Sequence, residues 1–349
     1  MLNVEVGLQG VRSLSSQQLV SGESEVGDEL DHVKLDPEPL SEDLYGAGIA
    51  ALLRDSLSIS QGKSPLLRIS RISITTVLLF LTIVLQAFLV WEFKRLVTAY
   101  AVHESREAYD KFEATMYEGH TTQTVNGYRR GIEGHFNPDR FANLTVKEKR
   151  RICQIPLSQP LFFGCILAIW SFTVMIDVRK ILSLADLLIR QTPTISSLQG
   201  MLLKGDGQET TLQGLPAGMK ALLLFFMFLP RLTIDGILLW LGCRWLTATD
   251  TFTDVLLNSM ALEFILLLKD LLYEAVVPMR DKHDTRTMLI PMPGRSRPDA
   301  VSFLGTFPLA FVVVAWVCAY MFCLQQVLPE YRWDVHRICE DFINEAARI

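Results

Sequence analysis

Apolar residues in this chain gather into long runs instead of recurring at the three- and four-residue spacing of a water-facing helix. The runs cover about residues 72–91, 157–176, 221–241, 252–277 and 301–325. A helix rising about 1.5 Å per residue crosses a hydrocarbon core of roughly 30 Å in about 20 residues. The pattern therefore predicts an all-α fold: a polytopic helical membrane protein with about five transmembrane helices. The first run is broken only by Gln86 and ends at Trp91, Glu92, Lys94 and Arg95, a usual membrane boundary. Its helical pattern continues through "LVTAYAVHESREAYDKFEATMY" as a polar extension. The second run leads into "DVRKILSLADLLIRQ", where Ile181, Leu184, Leu187 and Leu188 share one face and predict an interfacial continuation. The fourth has an uncharged core too short to cross alone, so Glu263 must enter the membrane if that helix spans.

Between the runs the chain is polar. Residues 1–71 read as a cytosolic tail, acidic and then basic. Up to about residue 50 it is rich in Ser, Gly, Glu and Asp, and buries too little apolar surface to offset its ordering entropy. No continuous apolar stretch of signal-peptide kind opens the chain. Residues 92–156 form an outer loop marked by turn signals at Asn126-Gly127 and Asn137-Pro138. Residues 72–328 make the transmembrane domain, and 329–349 an amphipathic C-terminal tail.

Composition sharpens this picture. Half of the 349 residues are hydrophobic and a fifth are charged, with a mean hydropathy of +0.27. The net charge of −5 is lopsided, since nine carboxylates lie between Glu23 and Asp43 against the single base Lys34. No basic tract with interleaved aromatics points to nucleic acid. The lipid bilayer is the expected partner, with a second copy or a partner subunit beside it.

Basic residues in short loops orient a membrane protein. Arg179, Lys180, Arg190, Lys204 and Lys220 flank the second and third runs, and Arg280, Lys282, Arg286, Arg295 and Arg297 follow the fourth. This bias places the N-terminus in the cytosol and the C-terminus outside. The bases of the long first loop oppose it, but long loops count for little. The sequon "NLT" at Asn143, a candidate N-glycosylation site, agrees with an outer first loop. In that topology Cys153 and Cys339 both lie outside, where disulfides persist, and form a candidate pair. Cys165, Cys243, Cys318 and Cys323 lie in or beside the runs and read as small buried apolar residues.

The strings "YEGHTTQTVNGYRRGI", "IPLSQPLFFG" and "WLGCRWLTATDTFTDVLLNSMALEFILLLKDLLYEAVVP" resemble a group of uncharacterised multi-pass membrane proteins of dinoflagellate algae. The similarity covers about residues 72–280. It implies the same order of spans and loops and carries over no activity.

No catalytic motif is found, so no enzyme is expected. No His/Cys cluster has metal-ligand spacing, and no cofactor or metal is expected. The informative chemistry is charge inside the runs, which is costly in a bilayer and faces a partner or a water-filled cavity. Arg231 and Asp235 stand four apart on one helix face, after Pro230, which removes a backbone donor and predicts a kink. On the fourth helix Glu263, Asp270 and Glu274 share one face, with Asp254 and Asn258 opposite. Taking the turn between the third and fourth helices as centred near Thr247 puts Arg231 and Glu263 at one depth. An Arg231–Glu263 ion pair follows, with Asp235 as second acceptor and Asn258 extending the polar cluster.

Two functions fit such a cluster. It lines a path, making the protein a channel-like or transporter-like component; or it fixes the packing of a non-transporting scaffold or receptor-like subunit. The plainer alternative lays the fourth helix along the interface and lets Arg231 snorkel to water. A polar cavity reaching Glu263 from both sides favours the first, and a sealed, paired cluster the second.

Overall fold

The computed structural model describes residues 37–62, 64–204, 209–249, 251–291 and 307–346. The first 36 residues of the expected tail, the loop at 292–300 and the opening of the fifth run at 301–306 lie outside the described residues.

The chain enters with strand β1 (Pro37–Pro39) and helix α1 (Leu44–Ser60). Asp43 caps α1 by accepting from the Gly46 amide at 2.7 Å, which satisfies an amide that the first turn otherwise leaves unpaired. This corrects the expectation of a tail without packed structure up to about residue 50. Its cause is local: "LYGAGIAALLRDSL" is apolar enough to bury, although acidic composition dominates what precedes it. Residues 43 to 50 are buried without a break, so α1 is enclosed on all sides over two turns. Gly48 permits this, because a Cβ there would lie 2.4 Å from Leu79 Cδ1 and 2.9 Å from Met227 Cε.

A turn with left-handed backbone at Gly62 (φ 71°) and Ser64 (φ 41°) reverses the chain. It leads into α2 (Pro65–Glu92), seven residues earlier than the apolar run suggested. A π-helical turn at Phe93–Thr98 joins α2 to α3 (Ala99–Met116), giving one rod from 65 to 116. The rest of the outer loop is folded too. A hairpin of β2 (Thr121–Gln123) and β3 (Arg129–Gly131) precedes α4 (Val146–Gln154). Thr145 and Glu148 start α4 with a reciprocal capping box.

Three more long helices complete the middle of the chain. α5 (Pro160–Ala185) extends through a π-helical turn at Asp186–Gln191. α6 (Ala217–Leu223), a π-helical turn at Leu224–Phe228 and α7 (Leu229–Ala248) form a second continuous rod. Pro230 sits at the start of α7, and the wide turn just before it accommodates the missing N–H, which is where the expected kink has gone. α8 (Phe252–Val276) returns antiparallel to α7, with Thr251 accepting from the Asp254 amide at its start. α9 (Met279–Arg286), α10 (Phe307–Ala319, prolonged by a π-helical turn to Leu324) and α11 (Asp334–Ala346) follow.

The fold is overwhelmingly helical, but it is not purely so. β1, β6 (Met288–Pro291), β5 (Thr210–Leu212) and β4 (Leu202–Lys204) form a four-stranded sheet in that order. Strands β1 and β6 pair antiparallel, β6 and β5 parallel, and β5 and β4 antiparallel. Segments this short carry no readable alternation in sequence, because two or three residues cannot establish a period.

Among the described residues, four helices are long and apolar enough to cross a membrane: Pro65–Met116, Pro160–Gln191, Ala217–Ala248 and Phe307–Leu324. In the most apolar part of the first, only 17% of residues are buried in the protein. Ile74, Val77, Phe80, Leu81 and Phe88 face outward instead. Such a continuous apolar surface is not one that water solvates well. α8, the expected fourth span, falls outside this set because Asp254, Glu263, Lys269, Asp270 and Glu274 interrupt it. It nonetheless packs among α2, α5 and α7 in the bundle.

Candidate functional site: a buried ion network

Where α1, α5, α7 and α8 meet, buried charges from all four elements converge. Asp177 on α5 is the centre. Its Oδ1 accepts from Arg231 Nη2 at 2.9 Å, and its Oδ2 lies 2.6 Å from Lys269 Nζ. The other end of the Arg231 guanidinium reaches Asp43 Oδ2 at 3.1 Å. The guanidinium also lies over the Tyr45 ring, 4.6 Å from its centroid. Asp43 thus works twice, capping α1 with one oxygen and binding Arg231 with the other. Gln86 on α2 donates to the Ile265 carbonyl at 3.2 Å and ties α2 to α8 near the same level.

The depth match has a simple origin. Asp177 lies seventeen residues after Pro160, Arg231 seventeen before Ala248, and Lys269 seventeen after Phe252. Each is therefore roughly 25 Å along its helix from the same end of the bundle. Two cations at one level repel unless an anion lies between them, and Asp177 fills that place. Burying ions costs free energy that pairing only partly returns, so removal of one partner is expected to be severe.

The expected cluster is corrected in its membership. Arg231 and Asp235 are buried, but they do not pair with one another, and Arg231 pairs with Asp43 and Asp177 instead. Glu263 is exposed and forms no ion pair among the described residues. Asn258 donates to Thr249 Oγ1 at 3.0 Å, near the α7–α8 turn and away from the network. The reason lies in the turn. α7 runs on to Ala248 and α8 starts at Phe252, so the centre is residue 250, not Thr247. Nineteen residues either side of 250 are Arg231 and Lys269, and Glu263 is left at another level. Asp270 is half-buried, whereas Glu274 is exposed and binds Lys282 Nζ at 2.7 Å, outside the network.

Asp43, Asp177 and Lys269 had escaped the sequence reading. Asp43 was hidden in the acidic tail and Asp177 among the polar residues ending the second run. Lys269 carried the better signal, as the lone base of its helix.

At the other end of the bundle Cys153 and Cys339 are joined as a disulfide, with Cα atoms 5.0 Å apart, linking α4 to α11. Tyr117 donates to Asp334 Oδ2 at 2.6 Å, and Tyr331 to the Leu157 carbonyl at 3.2 Å. Burial raises the Asp334 carboxyl above the usual carboxylate range. Asn143 is exposed at the end of a short 3-10 turn. Cys243 is buried, but Cys165, Cys318 and Cys323 are exposed on their helices, unlike the expected buried thiols. An apolar helix facing lipid does not need to turn its small residues inward.

Fold and site together describe a helical bundle with an apolar outer surface and paired charges at its centre, as is compatible with an integral membrane protein. Comparison with family models, with curated proteins and with solved structures finds no match to this chain.

Proposed function

We propose that the chain is a five-span membrane protein serving as a non-transporting scaffold or receptor-like subunit, with its N-terminus cytosolic and its C-terminus outside. The observation that carries this reading is the closure of the ion network. Asp43, Asp177, Arg231 and Lys269 are buried and paired, and α1 packs over them. Two cavities lie away from the network. One, about 330 Å³, is an apolar groove between α1, α2 and the α6 rod; another, about 230 Å³, lies between α3 and α4. A channel-like or transporter-like component needs an aqueous route to its charges, and no network residue lines either cavity.

α8 counts as the fifth span in this reading, because its charges that enter the bundle are met by protein rather than lipid. The orientation is supported by the disulfide at the α4–α11 end, which suits an oxidising outer compartment. A second copy or a partner subunit would supply what the scaffold holds. No enzymatic role, cofactor or nucleic acid enters the proposal.

Reconstitution in sealed vesicles with an ion-flux assay tests it. Flux no greater than in empty vesicles is expected. Flux dependent on Arg231 or Lys269 would overturn the scaffold reading in favour of the channel-like one.

A further inference from the structure

The groove between α1, α2 and the α6 rod has one wall from each. The α2 wall is Ile72, Thr75, Leu79 and Ile83, at the three- and four-residue spacing that keeps side chains on one helix face. Gly48 and Leu52 form the α1 wall, and Leu222, Phe226 and Met227 the third. No charged residue lines it. Phe80 and Phe226 are exposed, so the groove opens onto the apolar outer surface of the bundle. From Ile72 to Ile83 it runs roughly 16 Å along α2, about half of a hydrocarbon core of roughly 30 Å. It therefore belongs to one leaflet. Spread over that length, the cavity of about 330 Å³ has a cross-section of about 20 Å². A helix about 10–12 Å across needs at least about four times as much. A single hydrocarbon chain fits.

Charge closes the cytosolic end of the groove. Arg68 stands one turn before Ile72 on the same face of α2, and its Nη1 lies 2.7 Å from Asp55 Oδ1. Asp55 in turn shares the α1 face of Gly48 and Leu52. Arg71 Nη1 is 3.5 Å from the same oxygen, while its Nη2 is taken by Asp281 and Asp284 of α9. Arg68 is less committed. Among the described residues its side chain meets protein only through Nη1, and it is 25% exposed against 1% for Asp55. The charge presented at this end is therefore cationic, with donors to spare. Leu66, Leu67 and Ile69 beside it are exposed, which suits a turn set in a membrane surface. Two turns deeper, the Thr75 and Thr76 hydroxyls have no hydrogen-bond partner among the described residues. Thr82, by contrast, donates to the Leu78 carbonyl at 2.8 Å.

We propose that the groove holds one acyl chain of an anionic phospholipid from the cytosolic leaflet, with the phosphate against the free guanidinium edge of Arg68. The Thr75 and Thr76 hydroxyls donate to the ester carbonyls below it. Anionic lipids concentrate in the cytosolic leaflet, so leaflet and charge agree. A lipid seated there touches α1, α2 and the α6 rod at once, and so steadies the helix that covers the ion network. The proposal rests on the membrane reading of the bundle and on its orientation, but not on the absence of transport.

Native mass spectrometry of the full chain in detergent, titrated with dioleoyl phosphatidylserine or dioleoyl phosphatidylcholine, counts the lipids retained. A single saturable adduct is expected. Phosphatidylserine should bind about fivefold more tightly, the worth of one base near an anionic headgroup. Arg68→Gln should bring the two lipids to equal affinity. Thr76→Trp fills the groove and leaves the Arg68–Asp55 pair intact, and it should remove the saturable adduct of both. An open-ended adduct series in wild type, equal affinity of the two lipids there, or an unchanged adduct in Thr76→Trp overturns the proposal. A preference that survives Arg68→Gln does so too, as does a second copy of the chain retained in wild type and released by Thr76→Trp. Should Arg68→Gln not fold, the wild-type preference and Thr76→Trp decide by themselves. An alkaline carbonate wash of membranes tests the membrane reading separately: a chain that stays in the membrane but retains no lipid loses only this proposal.

Discussion

The first and last described helices, α1 and α11, are both tied back to the bundle, and the ties use different chemistry. The N-terminal segment is held by ions: Asp43 to Arg231 to Asp177 to Lys269, all out of water. The C-terminal segment is held by a covalent bond and by neutral hydrogen bonds, with Cys339 joined to Cys153 and His336 in contact with the Ser158 carbonyl at 2.7 Å. Buried ion pairs are conditional, because each ion stays only while its partner does. A disulfide acts mainly on the unfolded chain and persists whatever its neighbours do. One tie therefore lasts only while each ion keeps its partner, and the other has a covalent bond behind it.

The largest test of this contrast is Asp177→Leu. Among the described residues it leaves Arg231 paired with Asp43 alone and Lys269 with no ion pair, and the cost should be about 3–5 kcal/mol. Thermal unfolding in detergent reads it, and a loss under about 1 kcal/mol would mean that the network is not the anchor. Next comes Cys153→Ser. With the linked cysteines 186 positions apart, removal should cost about 2–4 kcal/mol, and limited proteolysis should cut α11 free before α1. Release of α1 first would reverse the comparison.

A smaller effect separates the ends by pH. Asp334 has its folded carboxyl raised by burial, so its contribution to stability is present below the ordinary carboxylate value, about 3.9, and fades as pH rises through the folded one. The C-terminal tie should therefore loosen as pH rises above the ordinary carboxylate range, seen as faster amide exchange across 334–346. Asp334→Asn should flatten that dependence; an unchanged profile would remove Asp334 from the account. Smallest of all in its effect on the network, Glu263→Leu should not weaken the bundle, because the side chain is exposed and forms no ion pair among the described residues. Its double-mutant cycle with Arg231→Leu should be additive, whereas measurable coupling would restore the pairing that the structure removes.

What the residues determined by themselves was the set of long apolar segments. Hydrophobicity summed over some 20 positions tolerates an error of several residues at either end, which is why Phe307–Leu324 and Pro160–Gln191 lie near the expected runs. The extended polar rod after the first run was also readable, since helical periodicity continues through Met116. Three features depended on tertiary structure. α1 is buried because other helices enclose it, and composition counted over the acidic tail conceals seventeen residues that pack. The short strands of the sheet are stabilised by partners far away in sequence, as β1 is by β6. The ion partners of Arg231 depended on where a turn is centred and which way each helix faces. A shift of three residues in that centre moves the position that matches Arg231 by six residues, from Glu263 to Lys269, about 9 Å along the axis and about 240° around it. Depth can be counted along a sequence, but facing is decided only when the helices pack.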